Sequence, residues 1–220
     1  MIYLYRMKYL YAIVLASTIC YCASAQITIS KDTIMKNGEH KIFTSIENVP
    51  EFPGGVQAFS GFIGKNLKYP EVARLIGING RVIVSFVVDQ YGKVNDVKPI
   101  SCVGAGCEAE AVRILEMSPA WKPGSQDGKP VRVQYSVPIS FTLEGNDRKT
   151  SMRNLRNSGY GFVFSIKDTL YTIDEAEKIL GRSFDPNQIL TTEPFYNYEK
   201  QPKFDMPDKK EVYLIIMKSS

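Results

Sequence analysis

Apolar side chains at Val131, Val133, Tyr135, Val137, Ile139, Phe141 and Leu143 alternate with Arg132, Gln134, Ser136, Pro138, Ser140 and Thr142. A period of two places successive side chains on opposite faces of a strand, so this segment predicts a strand with one buried and one wet face. Pro138 falls in its middle. Proline has no N–H to give to a ladder, which restricts it to edge strands. A long edge strand offers its unpaired backbone groups to an extended partner. The residues expected to meet one are Val131, Arg132, Val133, Gln134, Tyr135, Ser136, Val137, Ile139 and Ser140. Every N–H and C=O of the strand is expected to be available, apart from the donor missing at Pro138.

Upstream, the period changes. From Val56 to Leu67, Phe59, Phe62, Ile63 and Leu67 fall on one side of a helix. Tyr69-Pro70 breaks it, and Pro70 starts a second short helix that ends near Ile76 with Gly77 as its cap. Arg81–Val88 and Lys93–Ser101 read as strands joined by the turn Asp89-Gln90-Tyr91-Gly92. Cys107–Met117 is a helix ended by Pro119, and Trp121-Lys122-Pro123-Gly124 and Asp127-Gly128 form a long turn into the alternating strand. The expected fold class is α+β, a small antiparallel sheet with two helices on one face, over residues 50–145.

The polar, basic stretch 146–160 reads as a linker to a small second α+β unit at 161–220. That unit is expected to contain strands at Gly161–Ile166 and Leu170–Ile173 and a helix at Asp174–Leu180 capped by Asp174. A strand or turn at Asp185–Thr192, an irregular aromatic stretch at Phe195–Asp208 and a continuously apolar strand at Val212–Met217 complete it.

The N-terminus changes the picture of location. Arg6 and Lys8 precede an apolar run from Tyr9 to Cys22, followed by Ala23-Ser24-Ala25. Basic start, short apolar run and small-x-small site are the parts of a secretory signal peptide, so residues 1–25 are expected to be removed by cleavage after Ala25. Retention would instead leave the chain anchored in the inner membrane, facing the periplasm. Cys20 and Cys22 follow Ile19 and Tyr21, which are not small residues, so neither is a lipid-attachment candidate. Residues 26–49 are a polar tether, with one short strand expected within it, such as Lys41–Ile46. In an oxidising compartment Cys102 and Cys107 are the disulfide candidate and are expected to be bridged.

Composition excludes several function classes. The chain has 220 residues, 44% hydrophobic and 23% charged, as in an ordinary globular protein. The net charge of +4, to which Arg6 and Lys8 contribute, is too small and too evenly spread for a nucleic-acid partner. His40 is the only histidine and lies in the tether, so a histidine-based triad together with a metal site is not available. There is no glycine-rich phosphate loop. Glu108 and Glu110 stand at a helix start, where the dipole favours carboxylates without any catalytic role. Trp121, the sole tryptophan, is expected to cover the end of the sheet. These features predict a non-enzymatic chain without cofactor or metal.

A set of short motifs runs in order through the first unit. It comprises Phe52-Pro53-Gly54-Gly55, Tyr69-Pro70, Ala73, Gly77-Ile78-x-Gly80-x-Val82, Phe86-Val87-Val88 and Gly92-x-Val94. It continues with Gly106-Cys107-Glu108, Ala111, Trp121-x-Pro123-Gly124, Gly128-x-Pro130-Val131 and Val137-Pro138-Ile139-x-Phe141. With these motifs the first unit resembles the TonB C-terminal domain family in its Bacteroidetes-type, periplasmic form. The resemblance implies a role in energy-coupled transmembrane transport. Its partners would be TonB-dependent outer-membrane transporters, gripped by pairing the last strand with their N-terminal TonB-box peptide. It also places the residues before Tyr-Pro near the bound peptide, which makes Asn66, Lys68 and Tyr69 rim candidates. A retained leader would add inner-membrane motor proteins to the partner set, and an exposed edge also permits a homodimer. The chain departs from a full energy transducer in its short tether, which has no proline from Gln26 to Val49.

The second unit is similar in motif order to the small βαβ plug-like segments of transporters from the same bacteria. The matching elements are Leu170-Tyr171-Thr172-Ile173-Asp174, Asp185-Pro186-x-x-Ile189 and Val212-Tyr213-Leu214-Ile215-Ile216, with Glu175 where those segments carry glycine. The competing function class is a structural or regulatory cell-envelope protein that uses the same fold for self-association or wall binding.

Overall fold

The computed structural model describes residues 42–43, 46–143 and 149–218. The expected signal peptide, its cleavage site and most of the tether lie outside them. In chain order the first part contains β1 (Ile42–Phe43), α1 (Gly55–Asn66), α2 (Glu71–Ile76), β2 (Gly80–Val88), β3 (Val94–Pro99), α3 (Cys107–Glu116), β4 (Ser125–Gln126), β5 (Lys129–Pro130) and β6 (Arg132–Phe141). The second part contains β7 (Thr150–Ser151), α4 (Met152–Arg156), β8 (Gly161–Ile166), β9 (Thr169–Thr172), α5 (Ile173–Leu180), β10 (Ser183–Phe184), β11 (Ile189–Pro194) and β12 (Val212–Met217). The fold class is α+β, as the periodicities predict.

The first sheet has the strand order β1-β6-β2-β3. β2 pairs antiparallel with β6 along its whole length, from Gly80↔Phe141 to Val88↔Val133, and with β3 on its other side. Val82, Val84, Phe86 and Val88 of β2 and Val133, Val137, Ile139 and Phe141 of β6 are buried. Ala73 and Ile76 of α2 and Ala111 and Leu115 of α3 are buried in the same core, and α1 adds Phe59, Phe62 and Ile63 as half-buried packing. Trp121 is buried, with its ring among Phe52, Phe59, Phe86 and Tyr135 at centroid distances of 5.6, 5.5, 5.2 and 6.3 Å. It closes the end of the sheet, as expected. Its main chain lies so close to the β2–β3 turn that a Cβ on Gly92 (φ +85) would collide with the Trp121 carbonyl.

The second sheet has the order β11-β12-β8-β9. β8 and β9 form a hairpin whose turn residues, Lys167 and Asp168, both have positive φ. α5 is capped by Thr172, not by the expected Asp174. The Thr172 hydroxyl accepts the Glu175 N–H, while the Glu175 carboxylate accepts the Thr172 N–H. This reciprocal pair satisfies two helix-end donors, and it uses a side-chain acceptor at position 175, which a glycine there would lack.

The linker expectation needs the largest correction. Within 146–160 the chain forms β7 and α4, whose Met152 and Leu155 are completely buried. They belong to one hydrophobic cluster running from Phe52 through Phe141 to Phe162, Phe164 and Met217. Polar bonds bridge the two parts as well. The Thr150 hydroxyl donates to the Ile76 carbonyl at 2.7 Å, the Tyr160 hydroxyl to Glu71 at 2.9 Å, and the Ala105 N–H to the Thr192 carbonyl at 3.3 Å. Met152 and Leu155 stand among Lys149, Thr150, Ser151, Arg153, Asn154, Arg156 and Asn157, and these polar and basic neighbours hid the anchor from a composition reading. The described residues accordingly form one compact unit.

Candidate functional site

β6 is not the outermost strand. β1 runs parallel beside it, but only opposite Arg132 and Val133. Upstream of α1, Asn48 pairs with Ser125 and Glu51 with Lys122, away from this lane. Among the described residues nothing pairs with the outer edge of β6 from Gln134 to Phe141. Among the described residues the edge predicted from Pro138 is therefore open over most of the strand and closed at its start, where Arg132 and Val133 had been expected to be available.

The direction of each backbone group follows from the ladder. Ile83 lies opposite Pro138. Its carbonyl accepts the Ile100 N–H at 2.8 Å and its N–H donates to the Ser101 hydroxyl at 2.8 Å, so both of its groups point toward β3. Ile83 and Pro138 are thus a non-hydrogen-bonded pair, and both main-chain positions of Pro138 face outward. The pattern repeats every second residue. Arg132, Gln134, Ser136 and Ser140 also direct N–H and C=O away from β2, while Val133, Tyr135, Val137, Ile139 and Phe141 spend theirs on β2. The expectation that all backbone groups of the strand are available is corrected to alternate ones. Val131 is likewise engaged, its N–H bonded to the Gly124 carbonyl at 3.0 Å.

Side chains follow the same period. Gln134, Ser136, Pro138 and Ser140 are exposed, and Val133, Val137, Ile139 and Phe141 are buried. On the open face Gln134 Nε2 donates to Ser85 Oγ at 3.1 Å, and Arg132 pairs with Asp96 of β3 at 3.8 Å. Further along, Ile83 and Ile100 are exposed beside Pro138. These two isoleucines escaped the sequence reading, because Val82-Ile83-Val84 is a continuous apolar run in which the outward member cannot be told from its neighbours.

Of the three rim candidates, Tyr69 reaches β6. Its ring meets Phe141 edge-on at 5.7 Å and its hydroxyl donates to the Ile78 carbonyl. Burial pushes that hydroxyl up to about 12. Asn66 and Lys68 are held in the helical layer instead. The Asn66 carbonyl accepts from Arg113 at 2.9 Å, and the Lys68 N–H donates to Glu110 at 2.5 Å. Burial acts to raise the Glu110 carboxyl, but the bonds from Arg113 and Lys68 outweigh it and hold the group below its ordinary value.

No disulfide joins Cys102 and Cys107, contrary to expectation. Cys107 opens α3 and is completely buried, whereas Cys102 sits on an exposed loop. The Glu108 carboxylate holds that loop by accepting the Val103 and Gly104 N–H groups. Burial, with a smaller contribution from the Glu108 charge, pushes the Cys107 thiol up to about 12 and keeps it protonated.

Comparison with known proteins gives concordant matches. Residues 65–143 match the family described as the Gram-negative bacterial TonB protein C-terminal. The chain is similar to Protein TonB of Vibrio cholerae serotype O1, at 38% identity over 80 residues, which make up 36% of this chain and 32% of that protein. It thus spans about a third of the length of the curated relative it matches. Two NMR solution structures of the Helicobacter pylori TonB C-terminal domain are also similar. That of residues 194–285 is 22% identical and covers 41% of this chain and 95% of its own, with a TM-score of 0.31. That of residues 179–285 is 26% identical and covers 43% and 89%, with a TM-score of 0.32.

Proposed function

We propose, from the premise that residues 65–143 are a TonB C-terminal domain, that this chain engages TonB-dependent outer-membrane transporters by strand addition along β6. The observation that carries the reading is the open lane from Gln134 to Phe141, with outward backbone groups at Gln134, Ser136, Pro138 and Ser140. An extended transporter segment placed there continues the sheet, draws affinity from main-chain hydrogen bonds and takes its register from side chains. The protein acts as a binding module rather than an enzyme, in the periplasm, with the expected signal peptide removed. Binding alone would deliver this chain to a transporter. Transmission of force would further require a retained leader and a motor.

Titration of the full chain with overlapping peptides tiled across the N-terminal extensions of TonB-dependent transporters tests the proposal. At least one peptide is expected to bind, and the chain should retain a transporter from detergent-solubilised outer membrane. If no peptide binds, and the chain instead pairs with itself or sediments with purified cell wall, the structural or regulatory envelope reading replaces this one.

A further inference from the structure

The open face of the first sheet is polar along most of its rows. Arg81 lies opposite Ser140. Ser85 lies opposite Ser136 on one side and Lys98 on the other. Between these rows stands an apolar one. Ile83 is opposite Pro138, and Ile100 is tied to Ile83 by its N–H bond to the Ile83 carbonyl. Ile83 is 37% exposed and Ile100 59% exposed, and Pro138 is exposed as well. Single exposed apolar residues are ordinary. Here Ile83 of β2 and Pro138 of β6 stand opposite one another, Ile100 follows on past β3, and Pro138 borders a lane beside β6 that no described residue fills.

We infer that the segment docked on β6 carries an apolar side chain at the position facing Pro138, flanked two residues away on each side by polar or small ones. The inference rests on the reading of β6 as the docking edge. A strand in that lane puts every second side chain on the open face, with Cβ atoms about 5 Å from their neighbours on β6. The residue facing Pro138 therefore extends the Ile100–Ile83–Pro138 row, while the positions beside Ser136 and Ser140 meet hydroxyls. Pro138 also offers no N–H, so the partner gains no hydrogen bond from that donor site and the apolar contact sets the register in its place. β1 supports the choice of occupant, because the chain already seats a strand of its own in the same lane up to Val133 and leaves the rest vacant among the described residues.

The test uses the full chain and the tightest-binding peptide of about nine residues from the tiled transporter set. Each peptide residue is replaced in turn by serine, against the parent protein, against Pro138→Ser and, as a distant control, against Ile100→Ser. Pro138 is exposed and its main-chain nitrogen faces outward, so Pro138→Ser should fold by circular dichroism, and Pro138→Asn keeps the test valid if it does not; Ile100 lies two strands further from the lane, just past the end of β3. One apolar peptide position is expected to lose about three- to tenfold in affinity on replacement by serine. That loss should shrink toward zero against Pro138→Ser and persist against Ile100→Ser, whereas losses elsewhere stay unchanged. A bound peptide whose serine profile is the same for all three proteins would overturn the inference and leave strand addition standing. Failure of every peptide to bind removes both. If Pro138→Ser disperses a dimer and leaves the peptide profile untouched, the position belongs to a second copy of the chain and the inference is wrong.

Discussion

β6 and β12 are the two strands around which the sheets are built, and they stand in opposite situations. β12 lies between β11 and β8, with a paired neighbour on each side over nearly all of its length. β6 has β2 on one side and, among the described residues, only the two residues of β1 on the other. The sequence differs accordingly. Val212–Met217 is apolar throughout, as befits a strand held between neighbours with both faces partly covered, while Arg132–Phe141 alternates. A strand in β12's position has no backbone group to lend. One in β6's position has a spare set on every second residue.

Proline substitution separates the two most sharply. Ile215 is completely buried and pairs with Thr192 on one side and Phe164 on the other. Ile215→Pro removes a ladder donor whichever side it serves and takes a buried side chain with it. The expected cost is about 3 kcal/mol or more, enough to lose cooperative folding on thermal denaturation. A variant as stable as the parent would mean that β12 is not an interior strand.

The next effect asks whether the two sheets are one folding unit. Leu155 of α4 is completely buried in the shared cluster, and Leu155→Ala should cost about 2–5 kcal/mol. The sole tryptophan, Trp121, sits in the first part and makes a local reporter. Its fluorescence in urea should show the full loss of midpoint although the substitution is in the second part. An unchanged tryptophan transition would show that the parts unfold independently.

Ser136→Pro is the counterpart of Ile215→Pro on β6. The Ser136 N–H faces outward, so the fold should survive with its circular dichroism intact. Affinity for a transporter peptide should fall by about 1–3 kcal/mol, because a partner acceptor loses its donor. Ser136→Ala, which keeps the N–H, should bind as the parent does. Equal affinity for Ser136→Pro and the parent would exclude this strand as the docking edge.

What was legible in the sequence follows from which signals are local. Alternation assigned the faces of β6 correctly at every position from Val133 to Phe141, and Pro138 announced an open lane. Period and turn residues placed α1, α2, the β2–β3 hairpin and α3. Pairing across long separations was not legible. Nothing in Ile42-Phe43 marks it as a neighbour of Arg132-Val133, since two residues carry no period. Met152 and Leu155 vanished into a basic stretch for a similar reason, because a single helical turn needs only two apolar residues to anchor it. Cys102 and Cys107 are close in sequence, yet whether a short loop lets two thiols meet depends on which way the helix start turns, and that is decided by the core. Thr172 was overlooked as a cap because it also ends a strand, and a residue serving two elements carries the pattern of neither.

The smallest expected effect concerns how the helical layer behind β6 is held. Glu110 joins three elements: its carboxylate accepts from the Lys68 N–H, between α1 and α2, and pairs with Arg113 of its own helix, which in turn bonds the Asn66 carbonyl. Its carboxyl is held below the ordinary value of 4.5, so the unfolded chain takes up its proton first as the pH falls. The stabilisation from this group is therefore fully present above about pH 4.5 and is lost as the pH drops through the lower folded value. Glu110→Gln removes the charge and should lower the melting temperature by roughly 2–4 °C at pH 7. The difference between parent and variant should close progressively in more acid buffer. A gap that stays constant from neutral pH down to about pH 3 would show that the Glu110 charge does not brace this layer. No corresponding change is expected in peptide affinity at neutral pH, because Glu110 holds the helices and not the open edge of β6.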